Sequence, residues 1–170
     1  MAKISFSPKF IKEVIMLFRE RPIKDIIFGK AVTLSVQEKK VLEWIKKNPD
    51  AFRAAGGRMG HFKKIDPVHK GNGSVYLSPN TLGDAEKESL IIFDEDVAIT
   101  QGPDLWVCLS THEDVKKDGL GDYIQLVLIK GNKGGQTYIL EKPLAELTRF
   151  KSVVIWCKQF EVLFSFAPLS

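Results

Sequence analysis

Cysteine is scarce in this sequence: Cys108 and Cys157 are the two copies in 170 residues. That is too few for the dense disulfide framework of a small secreted domain. Neither sits in a C-x-x-C or C-x-x-C-H pattern, which removes the usual zinc, thioredoxin-like and c-type haem signatures. Histidine is nearly as rare, with His61, His69 and His112 as the three copies, and their spacing matches no metal-ligand motif. The G-x-S-x-G elbow, the H-E-x-x-H helix and the G-x-x-x-x-G-K phosphate loop are all missing, so the corresponding hydrolase, zinc-protease and nucleotide chemistries have no support. Long apolar runs are missing too: no uninterrupted stretch reaches the roughly 18 residues that span a bilayer. The first residues also lack the apolar core and small-residue cleavage site of a signal peptide.

What is present suits one folded domain, or one domain with an appended segment. Hydrophobic residues make up 44% and charged residues 27% of the chain, a soluble globular balance over a length that can bury a real core. The net charge of +4 mildly favours anionic partners such as a membrane surface or nucleic acid, but no binding motif for either accompanies it; a solvated basic surface is the ordinary reading, and nucleic acid is not an expected partner.

Two periodicities divide the chain near Gly56-Gly57. Residues 1–56 read as a helical extension. In "SPKFIKEVIMLFRER", Phe10, Val14, Leu17 and Phe18 recur at helical spacing behind Ser7 as N-cap and Pro8 at the first helical position. In "SVQEKKVLEWIKKN", the capping-box pair Ser35 and Glu38 precedes an apolar stripe of Val41, Leu42 and Ile45, with Trp44 at its flank. Between them "PIKDIIFGK" suggests a short turn of helix stopped at Gly29. The amphipathic stripes need a cover, which is either the rest of the chain, a membrane surface or another copy.

Residues 57–170 change to short β-rich runs: "GSVYLS", "SLIIFDEDVAIT", "DLWVCLS", "YIQLVLI", "QTYILE", "SVVIWCK" and "EVLFSFA". Turn-forming stretches such as "NGS", "GPD" and "GNKGG" separate them, which predicts a mainly β fold, an antiparallel sandwich or barrel behind the N-terminal α-helical extension. The stretch "RAAGGRMG" joins the two regions and is short enough for the helices to pack on the β region as one unit. Alternation places Leu105, Val107 and Leu109 on one face of their strand and Trp106 with Cys108 on the other. In the same way Val153, Ile155 and Cys157 oppose Val154 and Trp156.

Candidates for chemistry are few. Cys157 stands between Trp156 and Lys158, yet alternation turns both neighbours away from its own face, which leaves a buried core thiol beside a modulated redox thiol as open readings. A Cys108–Cys157 disulfide requires the two strands to present the thiols to each other at a Cβ separation of about 3.5–4.5 Å. His69, in "DPVHKGNGS", precedes two glycines that let backbone approach a ligand, so it is a weak binding candidate against the ordinary surface-loop role. The acidic run "DEDVAITQGPD" misses the oxygen-ligand spacing of a calcium loop, and "GNKGGQ" reads as a turn.

Taken in order, "GHFKKIDPVHKGNGSVYL", "GPDLWVCLS", "IKGNKGGQTYIL" and "FKSVVIWCKQFEVLFSFAPL" resemble the DM-thirteen domain family, a predicted electron-transfer domain often found beside DOMON domains, from about Gly57 to Leu169. The resemblance implies a small redox domain centred on the cysteine of "VVIWC", here Cys157, acting as a bare thiol or through a prosthetic group such as haem. It also implies an exported or membrane-associated setting and a redox or protein partner. Cys108 stands where the family more often has an aromatic residue, and the helical extension lies outside the resemblance. The rival reading is a non-catalytic β-sandwich module that binds protein or carbohydrate, with Cys157 as core. A third is a helical arm serving as a membrane-surface or oligomerisation adaptor.

Overall fold

The computed structural model describes residues 29–170. The stripe of Phe10, Val14, Leu17 and Phe18, with its Ser7 cap and Pro8, lies outside the described residues, as does most of "PIKDIIFGK". The second amphipathic segment forms α1, Val36–Lys47. Its capping box is complete: Ser35 Oγ accepts from Glu38 N at 3.3 Å, and Glu38 Oε2 accepts from Ser35 N at 2.7 Å. Such a cap stabilises a helix by about 1 kcal/mol. Pro49 then starts a short second helix, α2, Pro49–Ala54. The pair buries Leu42, Ile45 and Phe52, with Val41 partly covered, while Trp44 stays 47% exposed at the edge of the stripe.

The strands are β1, Arg58–His61; β2, Gly71–Asn72; β3, Ser74–Pro79; β4, Ser89–Phe93; β5, Ala98–Ile99; β6, Leu105–Ser110; β7, Tyr123–Leu128; β8, Gln136–Leu140; β9, Ser152–Cys157; and β10, Val162–Pro168. A third helix, α3, Val115–Asp118, lies between β6 and β7, and a 3₁₀ turn, Leu144–Leu147, between β8 and β9. All the sheet pairings are antiparallel. One four-stranded sheet runs β1-β3-β4-β8, the other β10-β9-β6-β7, with β2-β5 as a small two-stranded addition. They do not close into a barrel, so the fold is a sandwich. "SLIIFDEDVAIT" is two strands, β4 and β5, interrupted where Val97 N bonds back to Asp94 O at 3.1 Å. The stretch read as a linker ends in β1, whose four residues pair with β3.

Three apolar layers follow from strand alternation. Val75, Leu77, Ile91 and Phe93 from the first sheet meet Leu105, Val107, Leu109, Val153, Ile155 and Cys157 from the second in the central core. The outward residues of the first sheet, Tyr76, Leu90 and Ile92, are covered by α1 and α2, with the Phe52 and Tyr76 rings edge to face at 6.2 Å. The outward residues of the second sheet, Cys108, Val154 and Phe166, pack against Val115 of α3, with Ile65 and Leu120 beside them. Two edges of the sandwich differ. On one side Met59 and Ser170 exchange hydrogen bonds at 3.0 and 2.9 Å, joining β1 to the chain just beyond β10. On the other side β7 and β8 flank an open groove.

Candidate functional site

β9 lies between β10 and β6, and its last residue is Cys157. The register sets Cys157 opposite Leu105 on β6 and Val162 on β10. Because Leu105 faces inward, so does Cys157, and its side chain is part of the central core with no exposed surface. Cys108 pairs with Val154 and faces outward, where the third apolar cluster buries it equally completely. The two thiols therefore occupy opposite faces of one sheet, and both are free.

Burial makes each thiolate unfavourable. The Cys108 thiol is pushed up to about 12 by loss of water, with the Lys158 charge pulling weakly the other way. Burial also pushes the Cys157 thiol up, and the nearby Asp104 carboxylate adds to this, while the backbone N–H groups of Phe160, Asp104 and Gln159 favour negative charge on its sulfur. Those amides come from two turns at the same end of the second sheet: the one entering β6 and the one between β9 and β10. In the latter, Glu161 adopts a φ of 53°, and Gln159 Oε1 is buried without a hydrogen-bond donor.

Asp104 links the two sides of this sheet end. Its backbone N–H favours negative charge on the Cys157 sulfur, and its carboxylate accepts from the indole N–H of Trp106 at 2.8 Å. Trp106 and Trp156 are cross-strand partners on the outer face, both partly exposed. Lys158 is adjacent to Cys157 in sequence, but its ammonium lies 5.5 Å over the Trp106 ring on the outer face. Alternation had already turned Lys158 and Trp156 away from the thiol. What the sequence pattern left out was the amide cluster, whose only trace is that turn stretches "GPD" and "KQFE" flank paired strands.

The histidines are not gathered at this site. His69 Nδ1 pairs with Asp66 Oδ2 at 2.7 Å, and its ring packs edge-on to Phe164 at 4.6 Å. Phe164 belongs to the same core cluster as Cys157. His61 Nδ1 lies 3.1 Å from Ser74 Oγ, and His112 Nδ1 lies 3.0 Å from Gly119 O. Among the described residues no three His, Cys, Asp or Glu side chains form a cluster able to hold a metal ion. The acidic run is used internally: Asp94 pairs with Lys46 at 2.7 Å, Glu95 with Lys39 at 3.0 Å, and Asp96 accepts from Ser74 N at 3.1 Å. No helix among the described residues is long and apolar enough to cross a membrane.

A family model described as electron transfer DM13 matches residues 61–169. No curated protein and no solved structure matches the chain. The matched span runs from the end of β1 to the residue after β10 and includes both sheets, both cysteines and the turns around Cys157. It covers more than half of the sequence, and on that ground the chain belongs to the electron transfer DM13 family.

Proposed function

We propose that this chain acts as a small redox domain of the electron-transfer type, with Cys157 as its centre and a partner protein as electron donor or acceptor. The observation that carries the reading is the placement of Cys157 at the last position of β9, wholly buried between Leu105 and Val162 in register, where the backbone N–H groups of Phe160, Asp104 and Gln159 favour negative charge on the sulfur. A sulfur held this way keeps its proton against neutral solution, yet its negative state is supported by fixed dipoles instead of mobile water. Asp104 and the partly exposed Trp106 extend the site to the outer surface, where a partner can approach. Voltammetry of the full chain tests the reading: a redox signal lost in a folded Cys157→Ser protein and kept in Cys108→Ser supports it. A signal that survives Cys157→Ser overturns it.

A second reading, a non-catalytic binding module, draws on the open edge of the sandwich. A groove of about 470 Å³ there is lined by Ile124, Leu126 and Val127 of β7 together with Ile139, Leu140 and Leu147. Neither "YIQLVL" nor "QTYIL" carries a charge, the usual device by which edge strands resist pairing with another chain. This lining suits an extended peptide strand better than a carbohydrate. Chemical-shift changes confined to β7 and β8 on adding a partner peptide would favour this reading; changes around Cys157 and Trp106 would favour the redox one.

A further inference from the structure

The redox reading leaves two forms for Cys157, a bare thiol or a thiol bound to a prosthetic group such as haem. A haem ligated by cysteine needs a thiolate at the metal, a flat space beside it for the macrocycle, and partners that fix the group in place. Among the described residues, the surroundings of Cys157 supply none of these. Its side chain is wholly buried in the central core, between Leu105 and Val162 in register. Packing beside it is tight: a Cβ added at Gly102 would meet Leu105 and Phe164 at 2.8 Å. Three cavities lie along β7 and β8 and beneath α1 and α2, and Cys157 lines none of these three.

Among the described residues the histidines and Met59 are equally misplaced as ligands. Every histidine of the sequence falls among the described residues. His61 and His112 are each engaged elsewhere, and His69 is held by Asp66 and set against Phe164. Met59 packs on the far side of the first sheet, under the helices. Burial also keeps the thiol protonated near neutral pH, consistent with the geometry.

We infer that Cys157 carries no haem or metal and is a bare core thiol, closed to solvent by the packing of both sheets. The inference deepens the redox reading and rests on it only for the choice of residue. Hemin is added to the full-length chain, wild type and Cys157→Ala, and Soret absorbance and low-temperature electron paramagnetic resonance are recorded. Any hemin that adsorbs should give the same spectrum in both proteins. A thiolate-type ferric signal in the wild type that a folded Cys157→Ala protein lacks overturns the inference. Labelling of the wild type with iodoacetamide, mapped by mass spectrometry, needs no variant: Cys157 should react at least about 100-fold more slowly in buffer than in urea, because reaction waits on an opening of the core. Equal rates also overturn it. The two ideas fail separately. A Cys157-dependent haem spectrum ends this inference and leaves the redox reading standing, whereas absence of any Cys157-dependent voltammetric signal, with hemin spectra unchanged, ends the redox reading alone.

Discussion

Raising the pH of the folded protein should expose the cost of its buried thiols, and Cys108 makes that cost measurable. Its folded thiol is pushed from 9.0 up to about 12, chiefly by burial. Below pH 9 both folded and unfolded chains hold the proton, so the stability associated with this group is fully present. Above pH 9 the unfolded chain releases the proton while the folded chain keeps it, and stability falls until the folded thiol titrates too. The slope for one proton is about 1.4 kcal/mol per pH unit, so roughly 2 kcal/mol is lost between pH 9 and pH 10.5. For a chain of this size that is a fall in Tm of about 4–8 °C.

The perturbation is Cys108→Ala, and the assay is a series of thermal melts followed by circular dichroism from pH 7.5 to pH 10.5. Removing the side chain from the cluster of Val115, Val154 and Phe166 lowers Tm at every pH, so the quantity to compare is the slope. Lysine and tyrosine titration contributes equally to both proteins, including loss of the Lys46–Asp94 pair. The variant should therefore lose Tm less steeply above pH 9 by the amount given. Parallel curves would refute the argument, because they would mean that the folded thiol ionises as readily as the unfolded one.

Other outcomes follow from packing and charge. Phe52→Ala should cost about 3–5 kcal/mol in urea unfolding, since the ring is 3% exposed and sits against Tyr76; a loss under about 1 kcal/mol would show that the helices are not docked through it. Asp94→Asn should cost about 1–2 kcal/mol, a value kept low because the Lys46 partner is 47% exposed, and a double-mutant cycle with Lys46→Met should recover most of the coupling. Gly134→Ala should destabilise by more than about 1 kcal/mol, as Gly134 has φ 89° and its Cβ would run into the Val32 carbonyl oxygen; an unchanged urea midpoint would contradict this. A fragment of residues 57–170 should keep a β-type circular dichroism spectrum yet melt below the full chain, because Tyr76, Leu90 and Ile92 lose their cover; a mainly helical spectrum would contradict the fold.

The sandwich was legible because its two sheets are built from strands whose faces are separately buried. Leu105, Val107 and Leu109 could be assigned to one side and Cys108 to the other from alternation alone, and the capping box at Ser35 and Glu38 marked where α1 begins. Two kinds of feature were not legible. One is the short strand: β1 contains two glycyl and methionyl positions, "MG", that carry no β signal and is defined by pairing with β3 and by the hydrogen bonds of Met59 to Ser170. The other is the bulge. The register of β10 shifts between Leu163 and Ser165, so Phe164 joins the central core while Phe166, two residues on, joins the outer cluster. A period of two would have put both on one face. At the candidate site the thiol's face was readable, but Asp104, whose backbone N–H favours negative charge on the sulfur, lies in the turn entering β6 and reaches Cys157 only through the β6–β9 register.

That same register limits the chemistry open to the two cysteines. Cys108 is level with Val154, three positions from Cys157 along β9, and an odd offset on adjacent strands means opposite faces. A disulfide needs Cβ atoms about 4 Å apart and directed toward each other, which a sheet lying between the two side chains forbids. An internal dithiol–disulfide couple, in which the chain itself would store two electrons, is therefore unavailable to the folded protein. Nor does exchange with an external disulfide suit Cys157, since that reaction requires an exposed thiolate and this sulfur is protonated and enclosed. Under the proposed redox reading what remains is a one-electron exchange, in which the thiol gives its electron to an oxidising partner protein that meets the surface at Trp106 and Trp156 and its proton to the nearby Asp104 carboxylate, and regains both on reduction while the sulfur stays inside. The indole N–H of Trp106 bonded to Asp104 ties that surface to the turn entering β6, and Asp104 O also accepts from Lys158 N at 3.1 Å just beyond Cys157, which makes Asp104 the residue whose removal should loosen the surface from the surroundings of the thiol.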